Sequence, residues 1–194
     1  MVLSKAEKVL RDIEGMARRK RFLPIVGPSK GQILNKVVRE VKPKRILEVG
    51  ALIGYSAILM GKVLGKEAHL ITIEIDADNA EIAKENIRKA EIPPTVEVLI
   101  GDAIEVIPEL EGRFDLIFID AEKAKYLDYL RLIEDKLHRG SIIVADNVAR
   151  APAYLDYIRS SGKYSSRFIR VGEVTIAQHS DHNRENGLEV STKT

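Results

Sequence analysis

Along the chain the apolar positions change period repeatedly, and each change marks a new element. Residues 4–20 place Val9, Leu10, Ile13, Met16 and Ala17 at helical spacing, and Ser4 with Glu7 makes a capping-box pattern at the start. Phe22-Leu23-Pro24-Ile25-Val26-Gly27-Pro28 reads as an extended connector, because two prolines and a glycine interrupt a helix. Ser29 is placed to cap a second helix that runs to about Val41, with Ile33, Leu34, Val37, Val38 and Val41 inward, and Pro43 stops it. Beyond it, short apolar runs alternate with helical patterns. The runs predict strands at Arg45–Val49, Leu70–Ile75, Val96–Ile100, Phe114–Ile119 and Ser141–Ala145. The patterns between and after them predict helices at Tyr55–Leu64, Ala77–Ala90, Ala103–Leu110, Glu122–His138 and Ala151–Ser160. In the fourth of these, Tyr126, Leu127, Leu130, Ile133 and Leu137 form the stripe, His138 complements the dipole, and Gly140 ends the helix. Arg167–Val171, Val174–Gln178 and Leu188–Ser191 predict further strands, separated by the polar stretch His179–Asn186.

Continuous apolar strands alternating with helices predict an α/β fold whose parallel sheet is covered on both faces. Right-handed crossovers restrict it to a doubly wound arrangement. No repeat of 20–50 residues is present, and 194 residues suit one domain. Within that single domain, 1–194, residues 1–28 supply an N-terminal helix and a lid-like connector, and 29–194 the core.

Composition removes several classes. The absence of cysteine excludes a disulfide scaffold, thiolate zinc sites and cysteine nucleophiles. No apolar run approaches the roughly 18 residues that a membrane helix needs. Lys5, Glu7 and Lys8 fall where a signal peptide would be apolar, so a cytoplasmic location is expected. A formal net charge of +2 gives no global pull toward nucleic acid. Arg18–Arg21 is a local basic run, readable as a phosphate contact or as a solvated helix end.

In doubly wound sheets, ligands sit beyond the carboxyl ends of the strands. After the first strand, Glu48-Val-Gly50-Ala-Leu-Ile-Gly54-Tyr-Ser56 is a glycine-rich turn that opens a helix and lets a ligand approach the backbone. Its glycines are four apart, unlike the Gly-x-Gly-x-x-Gly of dinucleotide enzymes. Glu48 suits a ligand with an amino group and repels a pyrophosphate. Glu74, after the second strand, is placed to accept ribose hydroxyls, or to serve as a helix N-terminal charge beside Asp76 and Asp78. Gly101-Asp102-Ala103 follows the third strand, where adenine would rest, and Asp102 is equally suited to capping a helix.

After the fourth strand comes Asp120-Ala-Glu-Lys123, and after the fifth Asp146-Asn147. Neighbouring strands lie roughly 5 Å apart, so Asp120, Asp146 and Asn147 can converge. Three oxygen donors fit a hard divalent cation such as Mg²⁺. Each of them can instead cap the helix that follows.

Taken in order, these segments resemble the metal-dependent class of S-adenosylmethionine O-methyltransferases, which includes the catechol and caffeoyl-coenzyme A O-methyltransferases. The likeness rests on Ile46–Ser56, Gly101–Ala103, Phe114–Lys123 with Tyr126, and Asp146-Asn147, and it spans residues 23–150. It implies a Rossmann-like methyltransferase sheet ordered 3-2-1-4-5-7-6, with the last strand antiparallel. It also implies that Glu48, Gly50 and Ser56 hold the methionine part of S-adenosylmethionine, with the backbone near Val26 closing over it. Glu74 would take the ribose, Asp102 and Ala103 the adenine, and Asp120 would also border the cofactor. Asp120, Asp146 and Asn147 would bind Mg²⁺ or another divalent cation, and Lys123, beside Asp120, would be the general base. Glu122 stands where the family usually has aspartate, and Asn183 where catechol methyltransferases place a substrate-contacting glutamate.

The expected function is transfer of a methyl group to a hydroxyl of a chelating, catechol-like small molecule, by a homodimer. Leu23-Pro-Ile-Val26 also resembles a stretch of the bacterial subgroup that methylates 5-hydroxyuridine at the tRNA wobble position, which makes tRNA the alternative acceptor. An NAD-dependent dehydrogenase is disfavoured by the glycine spacing. A non-catalytic S-adenosylmethionine-binding protein is disfavoured by the retention of Lys123 with all three candidate ligands.

Overall fold

The computed structural model describes residues 2–19, 23–171 and 186–194. Helix α1 (Lys5–Arg19) begins at the expected box: Ser4 N donates to Glu7 Oε2 at 2.8 Å, and Glu7 N donates to Ser4 Oγ at 3.2 Å. Helix α2 (Gly27–Val41) starts two residues before the expected Ser29 cap. Val26 is its N-cap and Pro28 lies in its first turn, where the fixed φ of proline suits a helix. Next come β1 (Arg45–Val49), α3 (Tyr55–Gly61), β2 (His69–Glu74), α4 (Ala77–Ala90), β3 (Thr95–Ile100), α5 (Ala103–Glu109) and β4 (Phe114–Ile119). A 3-10 turn (Lys123–Lys125) leads into α6 (Tyr126–Ile133), and β5 (Leu137–Asp146), α7 (Pro152–Ser160), β6 (Tyr164–Arg170) and β7 (Gly187–Lys193) follow.

The seven strands pair in the order β3-β2-β1-β4-β5-β7-β6, as expected, and β7 runs antiparallel to both its neighbours. Alternation along the central strands feeds two cores. In β4, Leu116 and Phe118 pack toward α1, α2 and α3, while Ile117 and Ile119 pack toward α6 and α7, joined by Phe114 because the pairing with the next strand is irregular between Phe114 and Leu116. All five are fully buried, so β4 forms the spine that fixes where its successor, Asp120, emerges. Among the described residues, no helix is long and apolar enough to cross a membrane.

One expected element changes type. The long helix Glu122–His138 gives way after Ile133 to a 3-10 turn, Glu134–Lys136, and the chain enters β5 at Leu137. Leu137 continues the apolar stripe but is buried against β4, opposite Phe114. A register shift follows, so that the next pair is Ile142 with Leu116. Gly140 takes φ +91° inside this irregular stretch instead of ending a helix, and Ser141 Oγ closes it by donating to Phe114 O at 2.7 Å. His138 is therefore a strand residue, its Nε2 2.9 Å from Asp115 Oδ1. The expected strand Val174–Gln178 lies outside the described residues, as do residues 179–185 of the polar stretch.

Candidate functional site

The carboxyl ends of β1 to β5 surround one cleft of about 600 Å³, within the usual size range of small-molecule sites. Pro24 and Ile25 roof it from the connector before α2. Val26 itself turns inward, its side chain buried in the core.

The first half of the cleft is built from backbone. Gly50 has φ +100°, and a Cβ there would collide with the carbonyl oxygen of Asp120. The turn after β1 and the end of β4 thus meet main chain to main chain. Glu74 ties the turn down: Leu52 N donates to its Oε2 at 2.6 Å, and Asp76 N to its Oε1 at 3.0 Å. At the end of β3, Asp102 Oδ1 caps α5 through Ile104 N at 3.0 Å. Its Oδ2 accepts from Lys125 Nζ at 2.8 Å, and this contact, followed by the Ile104 amide, holds its pKa below the usual value. Ala103, buried at the start of α5, supplies the wall beside it.

Glu48 lies directly behind the cleft wall of Val49 and Gly50 and is wholly buried. Its Oε2 accepts from Thr72 Oγ1 at 2.5 Å, while its Oε1 has no hydrogen-bond partner. Burial pushes its pKa up to about 7, and the hydroxyls of Ser56 and Thr72 pull the other way. Ser56 is buried in the first turn of α3. Neither Glu48 nor Ser56 lines the cleft itself; the donor-free oxygen of Glu48 is of the kind that would complement a ligand ammonium reaching it.

The second half is built from charged side chains. Lys123 Nζ donates to Asp120 Oδ1 at 2.8 Å and to Ala121 O at 3.0 Å, and sits 5.2 Å from the centre of the Tyr126 ring. The Tyr126 hydroxyl lies between the carbonyls of Ile119 at 3.1 Å and Asp146 at 3.0 Å, which fastens the ends of β4 and β5 together. Asp146 is 1% exposed, and Asn147 follows it in the left-handed region at φ +52°. Lys30, from the first turn of α2, crosses into this pair: its Nζ is 2.6 and 2.8 Å from the two oxygens of Asp146 and 3.2 Å from Asn147 Oδ1. Burial, and then the negative charge of Asp120, raise the Asp146 pKa, while Lys30 opposes them.

Asp120, Asp146 and Asn147 therefore line one cleft, as their strand positions predicted. Two carboxylates and an amide are all hard oxygen donors, and the ammonium drawn onto two of these groups shows that the position attracts cations. The set fits a divalent ion such as Mg²⁺. Among the described residues, no three acidic or imidazole side chains cluster, so the amide of Asn147 is the third donor such a site would use.

Lys30, Lys125 and Arg150, which also line the cleft, are absent from the sequence-based set. Lys30 carries a readable signal: it precedes Ile33 and Leu34 by three and four residues and so shares their inward stripe. Of the basic run, Arg18 and Arg19 end α1, whereas Lys20 and Arg21 lie outside the described residues, as does Asn183.

The O-methyltransferase family model matches residues 4–159. Mouse catechol O-methyltransferase is 35% identical over 167 residues, covering 81% of this chain and 63% of the mouse protein. Catechol O-methyltransferase from Niastella koreensis is 40% identical over 135 residues, covering 68% of this chain and 61% of that protein. The match thus spans about three fifths of the length of these two relatives. The crystal structure of an O-methyltransferase from Bacillus cereus in complex with SAH has a TM-score of 0.80 at 24% identity, covering 100% of this chain and 92% of that one, and so shares the fold. With most of its length inside the family model and a sheet ordered as expected, this chain belongs to the O-methyltransferase family.

Proposed function

We propose that the chain transfers the methyl group of S-adenosylmethionine to a hydroxyl of a chelating, catechol-like small molecule, and does so with a divalent cation such as Mg²⁺. The observation that carries this reading is the placement of Asp120 and Lys123 within one cleft, between the glycine turn of β1 and the Asp146-Asn147 pair. Methyl transfer from a sulfonium is an in-line displacement: the acceptor oxygen forms a bond to carbon as the carbon–sulfur bond breaks, leaving S-adenosylhomocysteine. The task of the protein is alignment.

In this reading, Glu48 answers the ammonium of the methionine part, and Gly50 lets that part lie against the backbone. Glu74 offers carboxylate oxygens to the ribose while it holds the β1 turn, and Ala103 borders the adenine. Lys123, as the neutral amine, is positioned to take the hydroxyl proton at Nζ and become the ammonium, and Asp120 orients that nitrogen. A divalent ion held by Asp120, Asp146 and Asn147 would favour the oxyanion form of the acceptor. Pro24 and Ile25 limit water above the cleft. A homodimer, on the strength of the resemblance, and a cytoplasmic location, on the strength of the charges Lys5, Glu7 and Lys8, complete the proposal.

A methyl-transfer screen of catechols, flavonoids and undermethylated tRNA, with Mg²⁺ and with chelator, tests it. The expected result is transfer to catechols with Mg²⁺ and loss of transfer with chelator. Undiminished transfer in chelator would remove the metal from the reading. Transfer to tRNA alone would reassign the acceptor, and binding of S-adenosylmethionine without transfer to any acceptor would remove catalysis.

A further inference from the structure

Lys30 occupies the position where a metal ion would be expected. Its Nζ touches both oxygens of Asp146 and the amide oxygen of Asn147, at 2.6, 2.8 and 3.2 Å. Mg²⁺ holds its oxygens at about 2.0–2.1 Å in a near-octahedral shell, so a cation at Asp146 and Asn147 needs the same space and the same lone pairs. The lysine side chain is only 16% exposed and the Asp146 side chain 1%, so solvent screens this ion pair weakly. The other two lysines of the cleft are engaged elsewhere, Lys123 with Asp120 and Ala121 O and Lys125 with Asp102.

We infer that Lys30 is an internal counter-cation that holds the metal position when no divalent ion is bound, and that metal loading requires its ammonium group to withdraw. This rests on the metal-dependent reading above. Without a cation at this point, Asp146 would be a buried carboxylate beside the charge of Asp120, a costly arrangement. With Lys30 in place the acid pair is tolerated in the metal-free protein, at the expense of metal affinity. The same bond fastens the first turn of α2, directly behind the roof residues Pro24 and Ile25, to the tip of β5. Withdrawal of Lys30 would free that fastening as the ion enters.

Calorimetric titration of Mg²⁺ and of Mn²⁺ into the wild type, Lys30→Met, Lys30→Gln and Lys30→Arg tests the inference without measuring activity. Lys30→Met and Lys30→Gln are expected to bind the ion at least about tenfold more tightly than the wild type, and Lys30→Arg no more tightly than the wild type. In chelator, the Met and Gln variants are expected to melt at a lower temperature than the wild type, and added Mg²⁺ to restore them. Affinities unchanged or weakened in both neutral variants would overturn the role of Lys30 alone. Absence of binding by the wild type and every variant at millimolar ion would overturn the metal reading and this inference with it. If Lys30→Met does not fold, Lys30→Gln, which keeps a polar tip near Asp146, carries the comparison.

Discussion

The two halves of the cleft hold their carboxylates by different means. On the side proposed above for the cofactor, Glu74 is gripped by the amides of Leu52 and Asp76, and Asp102 by Lys125 together with the amide of Ile104. On the side proposed for the acceptor, Asp120 is held by Lys123 and Asp146 by Lys30, with one amide, that of Asn147, assisting. An amide donor is fixed once the strand and turn have formed. A lysine ammonium sits on a flexible four-carbon stem and can leave. The contrast separates a half whose shape the main chain dictates from a half whose charges are exchangeable.

The strongest way to break this division is at Asp146. Replacement by Ala is expected to lower methyl transfer by about a thousandfold or more, while the affinity for S-adenosylmethionine stays within about threefold. Parallel kinetics and calorimetry read both quantities, and an equal loss of cofactor affinity would merge the two halves. Glu74→Ala is the mirror experiment. It removes the acceptor of the Leu52 and Asp76 amides, both only partly buried, so the cost lies at or below the low end of the about 1–3 kcal/mol for a buried unpaired group. Cofactor affinity is expected to fall about 10- to 100-fold, with kcat at saturating cofactor changed far less. A fall in kcat with affinity preserved would place Glu74 in the chemistry and not in the turn.

The mildest test uses pH. The pKa of Glu48 is raised to about 7 in the folded protein, chiefly by burial. A carboxyl with a raised folded pKa favours folding most fully below its unfolded value, and that contribution is lost as pH rises through the folded value. Glu48 should therefore cost the cofactor-free protein about 2–3 kcal/mol between pH 4.5 and pH 8. Glu48→Gln should flatten that part of the stability profile in thermal melts at pH 5 and pH 8. An unchanged difference between the two melts would show that Glu48 does not carry it.

How much of this was legible in the sequence follows from range. The strand ends were visible because each apolar run stops at a glycine or an acidic residue, and Asp120, Asp146 and Asn147 could be brought together from strand order alone. The turn chemistry of Gly50 was visible for the same local reason. Lys30 was not placed in the site, because its partner lies 116 residues away and nothing local says which strand tip faces the start of α2. The helix-to-strand change at Leu137 was hidden because Leu137 fits the helical stripe and the strand equally well. Its strand state is decided by pairing with β4, a tertiary contact that overrides the local pattern.

The position of β7 has a consequence for assembly. It inserts between β5 and β6, although both precede it in the chain, and β6 has no other neighbour in the sheet. Until the segment after residue 186 arrives, β5 exposes a long unpaired rim and β6, though it packs on α7, has no strand to pair with. Such rims invite association with other unfolded molecules. Refolding at high protein concentration should therefore be the stage at which this protein aggregates.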